Sequence, residues 1–244
     1  SETRQQTFEE RRAGGVAPQT RTRDSLFEQE ISGVFAQATS AFSLAFSDHT
    51  LTYGIDFYRT ENESLREGGT TDALTGAPVR EFLPLPTRDF PATTVENRAV
   101  FLQDEILLLD GRLRVTPGLR YDDYQAETSP DELYFSGNPG VSPPADFEDS
   151  ALTLKLGALY EFTDNVSAWA RYSEGFRAPP YDDVNVGFSN FLGGYKTIAA
   201  PNLEAETSTG YEVGLRLRGA AGSLQVAVFD TRYDNFIQAL APAP

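Results

Sequence analysis

The sequence predicts an all-β protein, an antiparallel transmembrane β-barrel segment of about nine meandering strands with short periplasmic turns and long extracellular loops. Three observations point there: composition, a period-two apolar pattern, and connections that alternate short and long. The 244 residues include 17 Phe, 11 Tyr and 20 Gly, with neither Cys nor Met, so strand formers and turn formers dominate. Without cysteine there is no disulfide framework, thiolate zinc site or thiol catalysis, and His49 is the single imidazole. A net charge of -16 opposes a nucleic-acid partner, whose phosphates need a basic surface. No apolar run reaches the roughly 18 residues of a spanning helix. That does not count against a barrel, whose strands are apolar only at alternate positions.

Taken in chain order, strands are expected near 2–12, 20–38, 49–60, 93–109, 111–124, 150–162, 166–176, 206–218 and 223–238. The third carries Leu51, Tyr53, Ile55 and Phe57 on one face, with Asp56 and Tyr58 opposite. The fifth carries Leu113, Val115, Pro117, Leu119 and Tyr121, against Arg112, Arg114, Thr116, Gly118, Arg120 and Asp122. In the sixth, Leu152, Leu154, Leu156, Ala158, Tyr160 and Phe162 oppose Thr153, Lys155, Gly157 and Glu161. The seventh alternates Val166, Ala168, Ala170 and Tyr172 with Ser167, Trp169, Arg171 and Ser173, and the eighth alternates Tyr211, Val213, Leu215 and Leu217 with Glu212, Arg216 and Arg218. A soluble sandwich with a solvated outer face would alternate in the same way.

Connection length separates the two. Short links are expected at Phe46 to Asp48, at Asp110-Gly111, at Thr163 to Asn165 and at Gly219 to Gly222, and long ones from about 60–92, 125–149 and 177–206. A soluble sandwich has no reason to place every long connection on one edge, whereas an outer-membrane barrel does. Bacterial single-chain barrels close with an even strand number. An odd count, with Ala241 to Pro244 following an upward strand, leads to the expectation that residues 1–244 are part of a barrel, with a plug domain and the natural C-terminal strands lying elsewhere.

Two segments are more specific. Tyr172-Ser173-Glu174-Gly175-Phe176-Arg177-Ala178-Pro179-Pro180 resembles the FRAP box of TonB-dependent receptors, and Pro201-Asn202-Leu203-Glu204-Ala205-Glu206-Thr207 resembles their NPNL box and the residues after it. Asn97 to Tyr121, with Phe101-Leu102-Gln103-Asp104-Glu105 and Thr116-Pro117-Gly118-Leu119-Arg120-Tyr121, resembles the paired strands before those boxes. With Tyr181-Asp182-Asp183-Val184-Asn185 between them, the boxes look most like the haem, haemoglobin, transferrin and lactoferrin receptor branch.

The resemblance implies a protein of the Gram-negative outer membrane, embedded in its lipid, that is no enzyme and has no intrinsic cofactor. It would capture haem or a haem- or iron-carrying protein as cargo and import it with energy from the TonB complex, contacted through the plug region. A receptor for a siderophore or another nutrient, a passive porin, and a soluble β-rich binding module remain alternatives. The ligand-binding residues it implies are Phe176, Arg177, Ala178, Pro179, Tyr181, Tyr195, Asn202 and Leu203. The branch usually supplies a histidine to haem iron from the loop between the boxes, and none lies between Arg177 and Asn202. Tyr195 or Tyr181 could serve as phenolate ligand in its place, or both could be ordinary loop and girdle aromatics.

The remaining chemistry is thin. Asp182-Asp183 and Asp122-Asp123 read as solvated loop ends rather than a cation site, because no calcium loop surrounds them. A Ser-His-Asp arrangement at the outer face is not expected with the only histidine beside an inner turn. Gly193-Gly194 lacks the helix and lysine of a phosphate cradle. Arg112, Arg114, Arg120, Arg171, Arg216 and Arg218 are expected to face the lumen, there to grip a plug or anionic ligand or to pair with neighbours such as Glu161 and Glu212.

Overall fold

A computed structural model describes residues 2–11, 18–81, 84–139, 141, 143–185, 188–190, 195–197 and 202–237. One meandering antiparallel sheet accounts for almost all of it. Its strands are β1 (Glu2–Arg11), β2 (Gln19–Leu44), β3 (Ser47–Asp72), β4 (Pro78–Val79), β5 (Ala92–Leu108), β6 (Leu113–Ser129), β7 (Phe147–Thr163), β8 (Val166–Arg177), β11 (Glu206–Gly219) and β12 (Gly222–Asp234). β9 (Phe188–Asn190) and β10 (Tyr195–Thr197) pair only with each other. The order β1-β2-β3-β5-β6-β7-β8-β11-β12 follows the chain, and β4 adds to β3. The nine expected strands are thus the nine of this path, and consecutive neighbours are the pairing that short turns dictate.

Register brings the apolar positions onto one continuous face. Leu113, Val115, Pro117, Leu119 and Tyr121 stand opposite Tyr160, Ala158, Leu156, Leu154 and Leu152. Val166, Ala168, Ala170 and Tyr172 stand opposite Leu217, Leu215, Val213 and Tyr211. These side chains are open: Leu152, Leu154, Leu156, Val213, Leu215 and Val226 are all exposed large hydrophobics. A face this apolar and uncovered by protein is the face a barrel gives to lipid. Among the described residues no helix is long and apolar enough to cross a membrane; the strands do so.

The same face changes character toward the long connections. Above Phe57, Val100 and Tyr121 come Arg59, Glu61, Glu96, Arg98 and Asp123, joined by Arg59–Glu61 at 2.8 Å, Arg59–Glu96 at 3.3 Å and Arg98–Glu96 at 2.6 Å. Paired charges there mark where hydrocarbon gives way to polar surroundings. Tyr172 and Tyr211 lie on this face with ring centroids 5.2 Å apart, and amphipathic rings of this kind form the girdles of barrels.

Four details depart from the sequence reading. β2 and β3 each run 26 residues, far past the expected ends at 38 and 60. At about 3.3 Å per residue they span roughly 85 Å, against an apolar band of about 25 Å. The upper half carries Thr, Glu, Gln and Arg on both faces, so the period-two signal fades while the ladder continues. The long link after β3 therefore shrinks to 73–91.

The turn between β5 and β6 is wider than Asp110-Gly111: Leu109 and Asp110 both have φ of 54° and Gly111 has 86°, with Gly111 N–H donating to Leu108 O at 3.1 Å. Arg112 consequently belongs to the turn, not to the lumen-facing set. Finally, the long connections contain short helices, α1 (Glu132–Gly137) and α2 (Tyr181–Asn185). Gly193-Gly194 and Ala241 to Pro244 lie outside the described residues.

Candidate functional site

The buried interior lies on the polar face, at the end of the long connections. From the strands come Thr60, Asn62, Ser64, Thr93, Val95, Asn97, Ala99 and Ala126, and from the connections come Pro91, Tyr134, Val184, Pro179 and Ala205. The connections therefore fold inward over the upper sheet rather than standing off it. They also satisfy their own backbone, as an inward fold requires.

Asp131 caps α1 by accepting from Tyr134 N–H at 2.9 Å. Asn138 Nδ2 donates to Tyr134 O and Arg88 O, both at 2.8 Å. Asn185 clamps Ala145 from both sides, its Oδ1 accepting from Ala145 N–H at 2.8 Å and its Nδ2 donating to Ala145 O at 2.9 Å. The Tyr134 hydroxyl donates to Asn185 O at 3.3 Å, tying the two helical segments together. Gly137 fits so closely that a Cβ there would lie 1.5 Å from Thr87 Oγ1, so only glycine lets α1 approach.

Ion pairs rivet this cap to the strands. Arg88 Nε donates to Asp131 at 2.8 Å and its Nη1 to Ser64 O at 2.8 Å, while Arg66 pairs with Asp89 at 2.6 Å and Arg23 with Glu81 at 2.6 Å. Burial raises the Asp131 carboxyl, but the Tyr134 N–H and then Arg88 outweigh it and hold the group below the usual carboxylate range. At Asp89 burial wins over Arg66 and pushes the carboxyl up. Phe90 links the long hairpin to the segment after the first box, its ring 6.2 Å from Phe27 and 5.4 Å from Tyr181, both edge-on.

Beside this cap the two boxes meet. β8 and β11 pair so that Arg177 stands opposite Glu206, and Arg177 Nη1 donates to Glu206 Oε2 at 3.1 Å. The other oxygen, Oε1, accepts Ile237 N–H at 2.7 Å. Glu206 is therefore a buried clasp holding β8, β11 and the segment after β12. Pro179, fully buried, and Ala205, also buried, pack the two boxes against the cap.

Of the eight expected ligand contacts, Arg177 and Asn202 are exposed, Phe176, Ala178, Tyr181 and Leu203 are half-buried, and Pro179 is covered. Tyr195 begins β10, paired with Asn190 of β9. Its side chain, like those of Asp182 and Asp183, lies outside the described residues. The sequence reading missed Arg88, Tyr134, Asn138, Asn185 and the clasp role of Glu206. Only Asp131-Glu132 before an apolar pair carried a visible signal, that of a helix start.

Lower on the polar face, Arg120 Nε donates to both Asp122 oxygens at 3.0 and 2.9 Å and its Nη2 to Asp56 at 3.1 Å; Asn97 adds a bond to Asp122 at 3.3 Å. Asp122 and Asp123 thus point to opposite faces and share no cation. Among the described residues no group of three or more potential metal ligands converges. Arg114 approaches Glu105 at 3.7 Å. Arg216 bonds Gln225 at 3.1 Å and lies over the Trp169 ring, while Glu212, opposite Arg171 in register, accepts from Trp169 Nε1 at 3.2 Å.

Comparison with known proteins places this geometry. The family model "TonB dependent receptor-like, beta-barrel" matches residues 2–244. The hemoglobin-haptoglobin utilization protein B of Neisseria meningitidis serogroup C is 30% identical over 151 residues, 59% of this chain and 18% of that protein. The hemin receptor of Yersinia enterocolitica is 27% identical over 219 residues, 84% of this chain and 27% of that protein. The chain thus spans less than a third of either relative. Among solved structures, the Serratia marcescens hemophore receptor HasR, in complex with its hemophore HasA and heme, superposes with a TM-score of 0.63 at 20% identity, over 90% of this chain and 36% of that one. That likeness carries the fold.

Proposed function

The chain belongs to the TonB-dependent receptor-like β-barrel family, a family of outer-membrane receptors, and from that premise we propose that it forms the cargo-facing wall of a receptor for haem or a haem- or iron-carrying protein. One observation carries the reading: the two boxes converge through Arg177 and Glu206 at the edge of a cap that is folded inward and hydrogen-bonded to itself. That arrangement gives a rigid base from which the connection between β8 and β11 reaches cargo. The names of the relatives, a haemoglobin-haptoglobin utilisation protein and a hemin receptor, support haem as the cargo class.

In this reading the chain does no covalent chemistry on its cargo. Arg177 and Asn202, both exposed, touch cargo, with Phe176, Ala178, Tyr181 and Leu203 beside them. Pro179 holds the segment down. Tyr181 or Tyr195 supplies a phenolate to the iron of transported haem, since no histidine lies between the boxes. Energy for release comes from the TonB complex through a plug domain enclosed by the polar face, whose arginines and carboxylates suit a polar plug surface.

Titration of the intact protein with haemin tests this. A saturable Soret shift is expected, lost or displaced in Tyr195→Phe or Tyr181→Phe, together with TonB-dependent growth on haem as iron source. Absence of any Soret change, with growth restored only by a ferric siderophore, would replace haem by that cargo and leave the receptor reading standing. Ion conductance without a plug would indicate a porin instead.

A further inference from the structure

At the opposite end of the wall, Ser47, His49 and Asp104 form a hydrogen-bonded series on the apolar face. Ser47 opens β3, and His49 two residues later points the same way as Leu51. Register sets Leu51 opposite Asp104 and His49 opposite Ile106 on β5. His49 Nδ1 is 2.7 Å from Asp104 Oδ2, and His49 Nε2 is 2.9 Å from Ser47 Oγ. In the neutral imidazole with Nδ1 donating to the carboxylate, Nε2 accepts from the Ser47 hydroxyl. The Phe42 ring stacks on the imidazole at 4.8 Å and 4°, fixing its plane. Hydroxyl, base and orienting carboxylate stand in the order that nucleophilic catalysis requires.

Two further observations favour function over packing. Asp104 Oδ1 is buried without a hydrogen-bond partner, on a face where an apolar residue would cost nothing. An ionisable group kept in such a place points to a functional site. At Ser47, a cleft of about 920 Å³ opens between the β2–β3 and β5–β6 turns, lined by Ser47 together with Leu44, Phe46, Leu107, Leu108 and Leu109. It is wide enough for an acyl chain, and it lies where the lipid-facing wall meets the inner surface of the membrane.

We infer that Ser47, His49 and Asp104 form an acyl-hydrolase site for the carboxylic esters of glycerophospholipids in the inner leaflet. The Ser47 oxygen attacks the ester carbonyl carbon while its proton passes to His49 Nε2. The carbon–oxygen bond to glycerol then breaks, and His49 returns the proton to the departing alkoxide oxygen. Water next attacks the acyl-serine, giving its proton to His49. The acyl–Oγ bond breaks, a fatty acid leaves, and the serine hydroxyl is restored. Ala45 and Phe46, in the turn beyond the last ladder pair Leu44–Ser47, also line the cleft. Asp104 is a positioning residue that holds the imidazole tautomer.

The test uses the intact protein in detergent micelles, with folding checked by heat-modifiable migration. An alkyl fluorophosphonate is the probe and phosphatidylethanolamine the substrate. Expected are a phosphonyl adduct on Ser47 and fatty-acid release, both abolished by Ser47→Ala. Labelling should slow by about 100-fold or more in His49→Gln, the scale of a lost general base. Asp104→Asn should keep the adduct at Ser47 but displace its pH-rate profile. Folded wild-type protein without an adduct on Ser47, or fatty-acid release unchanged in Ser47→Ala, would overturn the inference. Haem titration reads the other end of the molecule, so either result can fail alone.

Discussion

The two faces of the same strands are held by different physics. On the apolar face Leu152, Leu154 and Leu156 are exposed to whatever surrounds the protein, and their packing partner is lipid. On the polar face the upper strands are covered by the chain's own connections, which bury Tyr134, Val184 and Pro179 and meet the carbonyls of Arg88, Tyr134 and Ala145 and the amides of Tyr134 and Ala145 with side chains. One face is therefore tolerant of apolar exchange and intolerant of charge. The other accepts charge wherever a partner stands opposite, as Arg120 does between Asp56 and Asp122, and is intolerant of losing one partner.

The largest effect that would break this contrast is a cation on the lipid side. Leu154→Arg, near mid-band, should destabilise the folded barrel by about 2–4 kcal/mol, whereas Thr153→Arg, one residue away on the other face, should cost roughly 1 kcal/mol or less. Equilibrium unfolding in lipid vesicles reads both, and equal costs would dissolve the distinction between the faces.

Next comes the clasp. Glu206→Ala removes a buried carboxylate that serves Arg177 and Ile237 N–H, at about 1–3 kcal/mol for the groups left unpaired. Hydrogen exchange should rise around 176–178 and 235–237 while the Leu152 to Tyr160 ladder stays protected.

The helix cap should be weaker. Asp131→Ala is expected to cost about 1 kcal/mol, read as faster exchange of the Tyr134 amide. The same group gives a pH dependence whose sign follows from its shift. Because the Tyr134 N–H and Arg88, acting against burial, hold the Asp131 carboxyl below its ordinary value, its stabilisation is present above the unfolded carboxylate's range. It is lost as pH falls through the lower folded value. Acid should therefore open the cap around α1 in the wild type and add little in Asp131→Ala.

The smallest effect lies at the inner turn. Leu109 is held at a φ of 54°, a region asparagine tolerates better, so Leu109→Asn should stabilise the β5–β6 hairpin by roughly 0.5 kcal/mol. A shift of the unfolding midpoint without a change in slope reads it.

The contrast also explains what was legible from the residues alone. Lipid imposes period two, so Leu113 to Tyr121 and Leu152 to Phe162 announced their face and register directly. Three of the short turns announced themselves through Gly, Asn and Asp, whereas Ala45-Phe46 between β2 and β3 contains none of these. The upper half of β3 was illegible because water on both sides imposes no alternation, and Glu61 or Glu67 in a strand looks like Glu in a loop.

At the candidate site, the boxes were visible as short strings, but the Arg177–Glu206 contact depends on the pairing of β8 with β11 across 29 residues. The cap is held by single side chains, such as Asn138 and Asn185, whose partners lie 40 or more residues away. No local pattern encodes such contacts. Ser47, His49 and Asp104 were hidden for the same reason: two sit on one strand, and the third arrives only with β5.

The central claim, that the alternating residues of β7 divide lipid from an inward polar face, is tested most directly by spin labelling. The chain contains no cysteine, so single cysteines introduced in turn at 152–156 give unique labels within it. In reconstituted vesicles the labels at 152, 154 and 156 should collide with dissolved oxygen and be shielded from a water-soluble nickel chelate, with the opposite order at 153 and 155. Equal access of the nickel chelate at all five positions would contradict the account.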